Sequence, residues 1–256
     1  MTGGRNMKKY VLVTGASSGI GYETAKAFAA RRENLIIAAR REANLERLKS
    51  EILQQYPETD VIIKICDLSD SAETIALYES LKPYDIKAIV NNAGRGNRGG
   101  FMDDNLQRDV NMLHLNMDAV YILSSLYARD YRDVEGSQII NVSSIGGYLV
   151  VPGSSLYCAT KFFVSSFTEG IDLEMRKNGH KLRAKVIAPT TTETEYEQTA
   201  HESSEKFDYA AHGGFYFTAK QMADMLLELY DNDATVGTID LVTRTLKLSG
   251  PKHPHL

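Results

Sequence analysis

Short runs rich in Val, Ile and Leu alternate along this chain with longer stretches of mixed polarity. The pattern predicts strands at Tyr10–Thr14, Leu35–Ala39, Val61–Cys66, Ile86–Val90, Gln138–Val142 and Lys181–Ile187, with a last one near Thr238–Val242. Between them it predicts helices: one ending near Arg32, then Glu42–Gln55, Ser71–Leu81, a long one over Asp103–Asp133, Ser154–Asn178 and Ala219–Tyr230. Gly179 stands where a helix C-cap glycine belongs. Strands that are apolar on both faces and separated by helices belong to a parallel sheet covered on both sides. The expected fold is therefore α/β, a doubly wound parallel sheet of about seven strands, with right-handed crossovers. No linker or repeat divides the chain, and one domain is expected over residues 7–248.

Two polar stretches break the rhythm, RGNRGG at 95–100 and the run from Thr190 to about Tyr216. Both follow strand ends, where open α/β sheets bind ligands. They read as a rim and a lid over a substrate, or as plain surface connections. Residues 249–256 are expected to be a loose tail or an oligomer contact, and residues 1–6, ahead of Met7, a leader or an added extension.

Composition narrows the function classes. The chain has 256 residues, a net charge of −4 and no basic tract, which argues against a nucleic-acid partner. Cys66 and Cys158 make neither a disulfide framework nor a zinc pattern, and no metal site is expected. No apolar run approaches the ~20 residues that cross a bilayer, so a cytoplasmic protein without a membrane partner is expected.

The first strand runs into TGASSGIG, Thr14–Gly21, which opens a helix. Gly15, Gly19 and Gly21 let the backbone turn tightly and approach a ligand without Cβ clashes. The helix N-terminus behind them presents free N–H groups and a positive dipole end, suited to a pyrophosphate. Further on, YCATK sets Tyr157 and Lys161 four apart on one helix face. An ammonium there stabilises a phenolate, which fits a tyrosine for acid/base work near neutral pH.

These motifs, with NNAG at 91–94 and NVSS at 141–144, resemble the short-chain dehydrogenase/reductase family over about Lys8–Leu241. The resemblance implies a Rossmann-type sheet and hydride transfer between NADP(H) and a carbonyl or alcohol carbon of a small molecule. It carries cofactor-binding roles to Gly15, Ser17, Ser18, Gly19, Ile20 and Gly21, to Asp67 and Leu68 for the adenine, and to Asn91, Ala93 and Gly94. Tyr157 and Lys161 share in that binding. A dinucleotide fold selects NAD with an acid at the end of its second strand and accommodates the NADP phosphate with arginine. Here Ala39 occupies the acid's position, Arg40 and Arg41 follow, and Ser17 could add a hydroxyl, so NADP(H) is expected over NAD(H).

The family's catalytic places fall on Asn116, Ser144, Tyr157 and Lys161. Asn116 would carry a water-linked proton relay, with Asn111 its nearby competitor. Ser144 would hold the substrate oxygen, leaving Ser143 structural. The family pattern Pro-Gly then Thr departs here to Pro189-Thr190, and Thr192 or Thr194 would bind the carboxamide or a phosphate, spacing favouring Thr194. Residues 145–154 would wall a substrate site compatible with ketones, steroids, acyl thioesters or sugars. A homodimer or homotetramer is expected through the helices bearing Asn116 and Tyr157, with Tyr121, Tyr127, Phe162, Phe163 and Phe167 divided between interface and core. The alternatives are a non-catalytic NADP(H) sensor and a different reaction, such as epimerisation or dehydration.

Overall fold

The computed structural model describes residues 8–96, 102, 105–200, 207–211 and 215–255. Residues 1–7, 97–101, 103–104, 201–206, 212–214 and 256 lie outside it, so the expected leader and most of the 95–100 rim are not described. Eight strands form the main sheet: β1 Lys9–Thr14, β2 Asn34–Ala39, β3 Val61–Ile65, β4 Asp85–Asn91, β5 Gln138–Val142, β6 Arg183–Ala188, β9 Val236–Ile239 and β10 Leu246–Ser249. Their spatial order is β10-β9-β6-β5-β4-β1-β2-β3. All neighbours pair in parallel except β10, which runs antiparallel to β9. The expected seven strands thus become eight. The added one is a short edge hairpin closed by a turn over 240–243, a pattern too short and too polar to register as a period-2 run.

Residue alternation on β1 explains the two layers. Val11 and Val13 face a core packed by α1 (Gly19–Ala30), α2 (Glu42–Gln55) and α8 (Ala219–Asp231), through Phe28, Leu45, Leu48 and Leu226. Tyr10 and Leu12 face the other core, with α3 (Ser71–Glu79) and α5 (Ala119–Tyr131) contributing Leu77, Leu123 and Tyr127. Helices cover both faces, as a parallel sheet requires. Tyr127 belongs to this core, its hydroxyl donating to the Ile86 and Lys87 carbonyls.

Three further expectations change. The long helix over 103–133 is two helices, α4 Leu106–Leu113 and α5, joined by a π-helical turn at His114–Asp118. The lid stretch has its own structure: β7 (Thr192–Glu193) pairs with β8 (Phe217–Thr218), and α7 (Tyr196–Ala200) lies between them in the chain. The C-terminal segment is not loose, because the Lys252 and His253 amides donate to the buried Glu169 carboxylate at 2.6 and 2.8 Å. Glu169 sits on α6, Ser155–Lys177, which ends as expected at Gly179, φ +71°.

Strand order reverses between β1 and β4. Chains leave the sheet in opposite directions on either side of that point, so a crevice opens above the strands' carboxyl ends.

Candidate active site

That crevice is a cleft of about 890 Å³, floored by the turns after β1, β2, β4, β5 and β6. At one end lies the glycine turn. Gly15 and Gly19 have φ +66° and +58°, a region that L side chains rarely adopt. A Cβ on Gly15 would lie 2.8 Å from the Cα of Ala93. The two strand ends touch because the Asn92 and Ala93 amides donate to Thr14 Oγ1 at 3.0 and 3.1 Å, and Asn92 Nδ2 donates to the Thr14 carbonyl at 3.0 Å. Ser18, the N-cap of α1, makes no side-chain bond to the helix, so no side-chain cap covers the first-turn N–H groups. A glycine cradle in front of such a helix end fits a dinucleotide pyrophosphate.

Beside it, β2 ends at buried Ala39, and the two following arginines take different directions. Arg40 Nη1 reaches Asp67 Oδ2 at 3.4 Å. Arg41, at the N-cap of α2, turns back over the glycine loop: Nε and Nη2 donate to Ser17 Oγ at 3.2 and 3.1 Å, and Nη2 to Ser18 Oγ at 2.8 Å. The partner of Ser17 is therefore Arg41 rather than Arg40, because the chain leaves its strand alternation to enter the helix. Both arginines line the cleft, with Asp67, Leu68 and Cys66, whose thiol burial pushes up to about 11.

The other end holds the titratable groups. Ser144 follows β5 and accepts from the Gly146 amide at 3.1 Å, which leaves its own hydroxyl proton able to donate elsewhere. A Cβ on Gly146 would stand 3.5 Å from Ser144 Oγ, 3.6 Å from Tyr157 Cε1 and 3.3 Å from Cys158 Sγ, so the serine and tyrosine share one wall. Tyr157 lies in the first turn of α6, and Lys161 one turn further along, its Nζ 5.8 Å from the tyrosine ring centre. Lys161 Nζ donates to the Val142 carbonyl at 3.0 Å. Burial pulls this ammonium down from 10.5 to about 8. Ser143 stands outside this chemistry, bonded to the Lys161 carbonyl and to Ser165 Oγ.

Asn116 sits in the π-helical turn, buried. Its Nδ2 donates to the Arg95 carbonyl (2.9 Å) and to Thr160 Oγ1 (3.0 Å), while Oδ1 accepts from the Arg95 amide (3.0 Å). The widened turn directs this carboxamide into the gap between the loop after β4 and α6. A Cβ on Gly94 would come 3.2 Å from Asn116 Oδ1 and 3.5 Å from Lys161 Nζ, so the bare backbone there keeps this end of the cradle open.

Most of the sequence-predicted residues meet at the cleft, with three corrections, the first being Asn116, which is buried on the Arg95 backbone and Thr160 and does not line it. Asn91 does not line it: Nδ2 donates to Asn141 Oδ1 at 2.8 Å and to Ser124 Oγ at 3.1 Å, tying β4 to β5 and α5 inside the protein. Gly21 does not line it either; its missing Cβ makes room for Asn92 Nδ2 and for the Gly15 carbonyl, 2.6 Å from where the Cβ would be. Asn92 is the cleft asparagine of the pair. Pro189 keeps the register despite Thr190, its carbonyl accepting from the Ile145 amide at 2.8 Å. Thr192 and Thr194 both line the cleft, and Thr194 lies against Gly19, with its Cγ2 3.1 Å from where a Cβ would be. Val151 and Ser154 line it from the expected 145–154 wall, and Tyr196 and Tyr209 from the expected 190–216 stretch, whereas sequence reasoning missed Leu115 and Cys158. Tyr196 stacks obliquely on Tyr157 at 5.4 Å; it comes from an aperiodic stretch that carries no sequence signal for such a contact.

Comparison with known proteins places these motifs in a family. The family description "short chain dehydrogenase" matches residues 9–205. An uncharacterised oxidoreductase of Staphylococcus saprophyticus is 33% identical over 73% of this chain and 75% of its own. An NADP-dependent 3-hydroxy acid dehydrogenase of Schizosaccharomyces pombe is 30% identical over 86% of this chain and 85% of its own. A short-chain dehydrogenase from Sphingobium yanoikuyae, solved in complex with NADPH, superposes with a TM-score of 0.81 at 28% identity, covering 90% of this chain and 87% of the other. With the glycine turn, the NNAG corner and the Tyr–Lys helix all meeting at one cleft, the chain belongs to the short-chain dehydrogenase/reductase family of oxidoreductases.

Proposed function

We propose that the protein is an NADP(H)-dependent oxidoreductase acting on a carbonyl or alcohol carbon of a small molecule. The observation that carries this reading is one cleft with an anion site of Arg41, Ser17 and Ser18 at one end and Ser144, Tyr157 and Lys161 at the other. The S. pombe relative is named NADP-dependent and the Sphingobium neighbour was solved with NADPH, which supports the phosphate-bearing cofactor.

When bound, the nicotinamide supplies or accepts the hydride. Ser144 and Tyr157 donate hydrogen bonds to the substrate oxygen, polarising the carbonyl. The Tyr157 hydroxyl passes its proton to that oxygen as the alcohol forms. Lys161, buried and drawn down to about 8, stabilises the phenolate left behind and feeds a proton back. Asn116 holds the Arg95 backbone and Thr160, and so fixes the floor on which this exchange runs. The Thr160 hydroxyl in turn donates to the Tyr157 carbonyl at 2.7 Å, joining Asn116 to the start of α6. Oxidation is the reverse.

A nicotinamide-binding sensor without turnover needs the first end of the cleft but not the second; the presence of both favours the enzyme. We also propose association of two or more copies through α5 and α6, where Tyr121, half exposed, packs on Phe167 and Phe167 stacks on Phe163. The test is a fluorescence titration with NADPH and NADH, using Arg41→Ala and Arg40→Ala in parallel, followed by a carbonyl screen with the better cofactor. NADPH binding that collapses in Arg41→Ala supports the reading. Failure of the wild-type protein to bind either nucleotide refutes it.

A further inference from the structure

The Arg41 guanidinium has a fourth contact that the cofactor reading does not use. Its Nη2 also lies 2.8 Å from Glu195 Oε2. Glu195 comes from the short connection between β7 and α7 and reaches the anion site from across the cleft. The segment that delivers it is anchored. Thr194 rests against Gly19, the Tyr196 amide donates to Thr194 Oγ1 at 3.1 Å, and the Tyr209 hydroxyl donates to the Thr194 carbonyl at 3.2 Å. From α4, Arg108 donates to the Ala200 carbonyl at the end of α7. Both members of the ion pair are 48% exposed, so an entering anion can reach them. Burial raises the Glu195 carboxyl, but bonds from Arg41 and Ser18 outweigh it and hold the group below the ordinary carboxylate range. It is ionised at neutral pH.

We propose that Glu195 is a specificity-determining residue that occupies, on Arg41, the position a cofactor 2′-phosphate would take, and so sets the ratio of NADPH to NADH affinity. This rests on the NADP(H) reading above. Ser17, Ser18 and Glu195 all draw on the Nε and Nη2 donors of one guanidinium. A phosphate with close to two negative charges cannot share those donors with a carboxylate without repulsion, so its binding must expel Glu195. A cofactor with a 2′-hydroxyl makes no such demand and leaves the ion pair closed. Glu195 therefore penalises NADPH alone, while Arg41 favours it.

The test measures dissociation constants of NADPH and NADH by nicotinamide fluorescence for wild type, Glu195→Gln, Arg41→Ala and the double variant. Removing a half-exposed competing charge should tighten NADPH by about three- to tenfold and leave NADH within about twofold. In the Arg41→Ala background the gain from Glu195→Gln should vanish, since the two effects share one partner. If Arg41→Ala abolishes the NADPH preference but Glu195→Gln leaves the ratio unchanged, or weakens both cofactors alike, the inference falls and the NADP(H) reading stands. If wild type shows no NADPH preference and Arg41→Ala changes neither constant, both fall.

Discussion

Lys161 offers a prediction in which stability and function pull apart. Its side chain is buried, donates to the Val142 carbonyl, and sits near 8 because burial penalises the ammonium. In the unfolded chain the same group titrates near 10.5. Below pH 8 both states carry the proton and the folded state bears the full cost, roughly 3 kcal/mol for a displacement of this size. Between pH 8 and 10.5 the folded state has released the proton while the unfolded state keeps it. Stability due to this group therefore rises with pH across that window. Replacing Lys161 with methionine removes the buried charge at similar volume, but leaves the Val142 carbonyl without this donor, a loss of about 1 kcal/mol. The apo variant should then be about 2 kcal/mol more stable than wild type at pH 7, or about 4–8 °C in Tm for a chain of this size. By pH 10 the gap should have closed. The assay is urea and thermal unfolding of both proteins, without cofactor, from pH 7 to 10. A variant no more stable than wild type at pH 7, or a gap that does not change with pH, would refute the claim that burial governs this lysine. The same variant should lose most of its turnover.

Tyr157→Phe keeps the ring that packs on Tyr196 and removes only the hydroxyl; kcat should fall on the order of 10²- to 10⁴-fold with NADPH affinity nearly unchanged, read by steady-state kinetics beside a fluorescence titration. Gly21→Ala would drive a methyl into Asn92 Nδ2 and the Gly15 carbonyl, and a loss of more than about 3 kcal/mol in urea unfolding is expected, together with loss of cofactor binding. Wild-type stability in that variant would show that the turn has room to spare. Glu169→Ala would strip the acceptor from the Tyr148 hydroxyl and from the Lys252 and His253 amides, costing about 3 kcal/mol and raising hydrogen exchange at residues 252–253. Unchanged exchange there would mean the C-terminal segment is held by other contacts.

Much of this was legible in the chain. Val11 and Val13 alternate with Tyr10 and Leu12, so two-sided burial of β1 follows from residue order. Strand-to-helix spacing carries the parallel topology, because neither element can bury its apolar positions without the other. Tyr157 and Lys161 share a face by helix geometry, and glycines at 15 and 19 mark the two positive-φ positions of the turn. These are local properties, set by period and by the backbone freedom of single residues.

What the tertiary structure decided is which neighbour each side chain meets. Asn91 and Asn92 are equivalent on paper. Alternation on β4 turns the first inward to Asn141 and leaves the second to bind β1. Arg40 and Arg41 are adjacent charges in the sequence, and only the turn into α2 gives Ser17 to Arg41. The π-helical turn that directs Asn116 to Arg95 breaks an otherwise continuous helical pattern, with no composition cue. Glu195 and Tyr196 come from the start of α7, in a stretch of sequence without period, and their contacts with Arg41 and Tyr157 exist because the β6 crossover returns that stretch over the cleft. The periodicity that sequence encodes is a property of one segment, whereas contacts across the cleft depend on how separate segments close around a shared core.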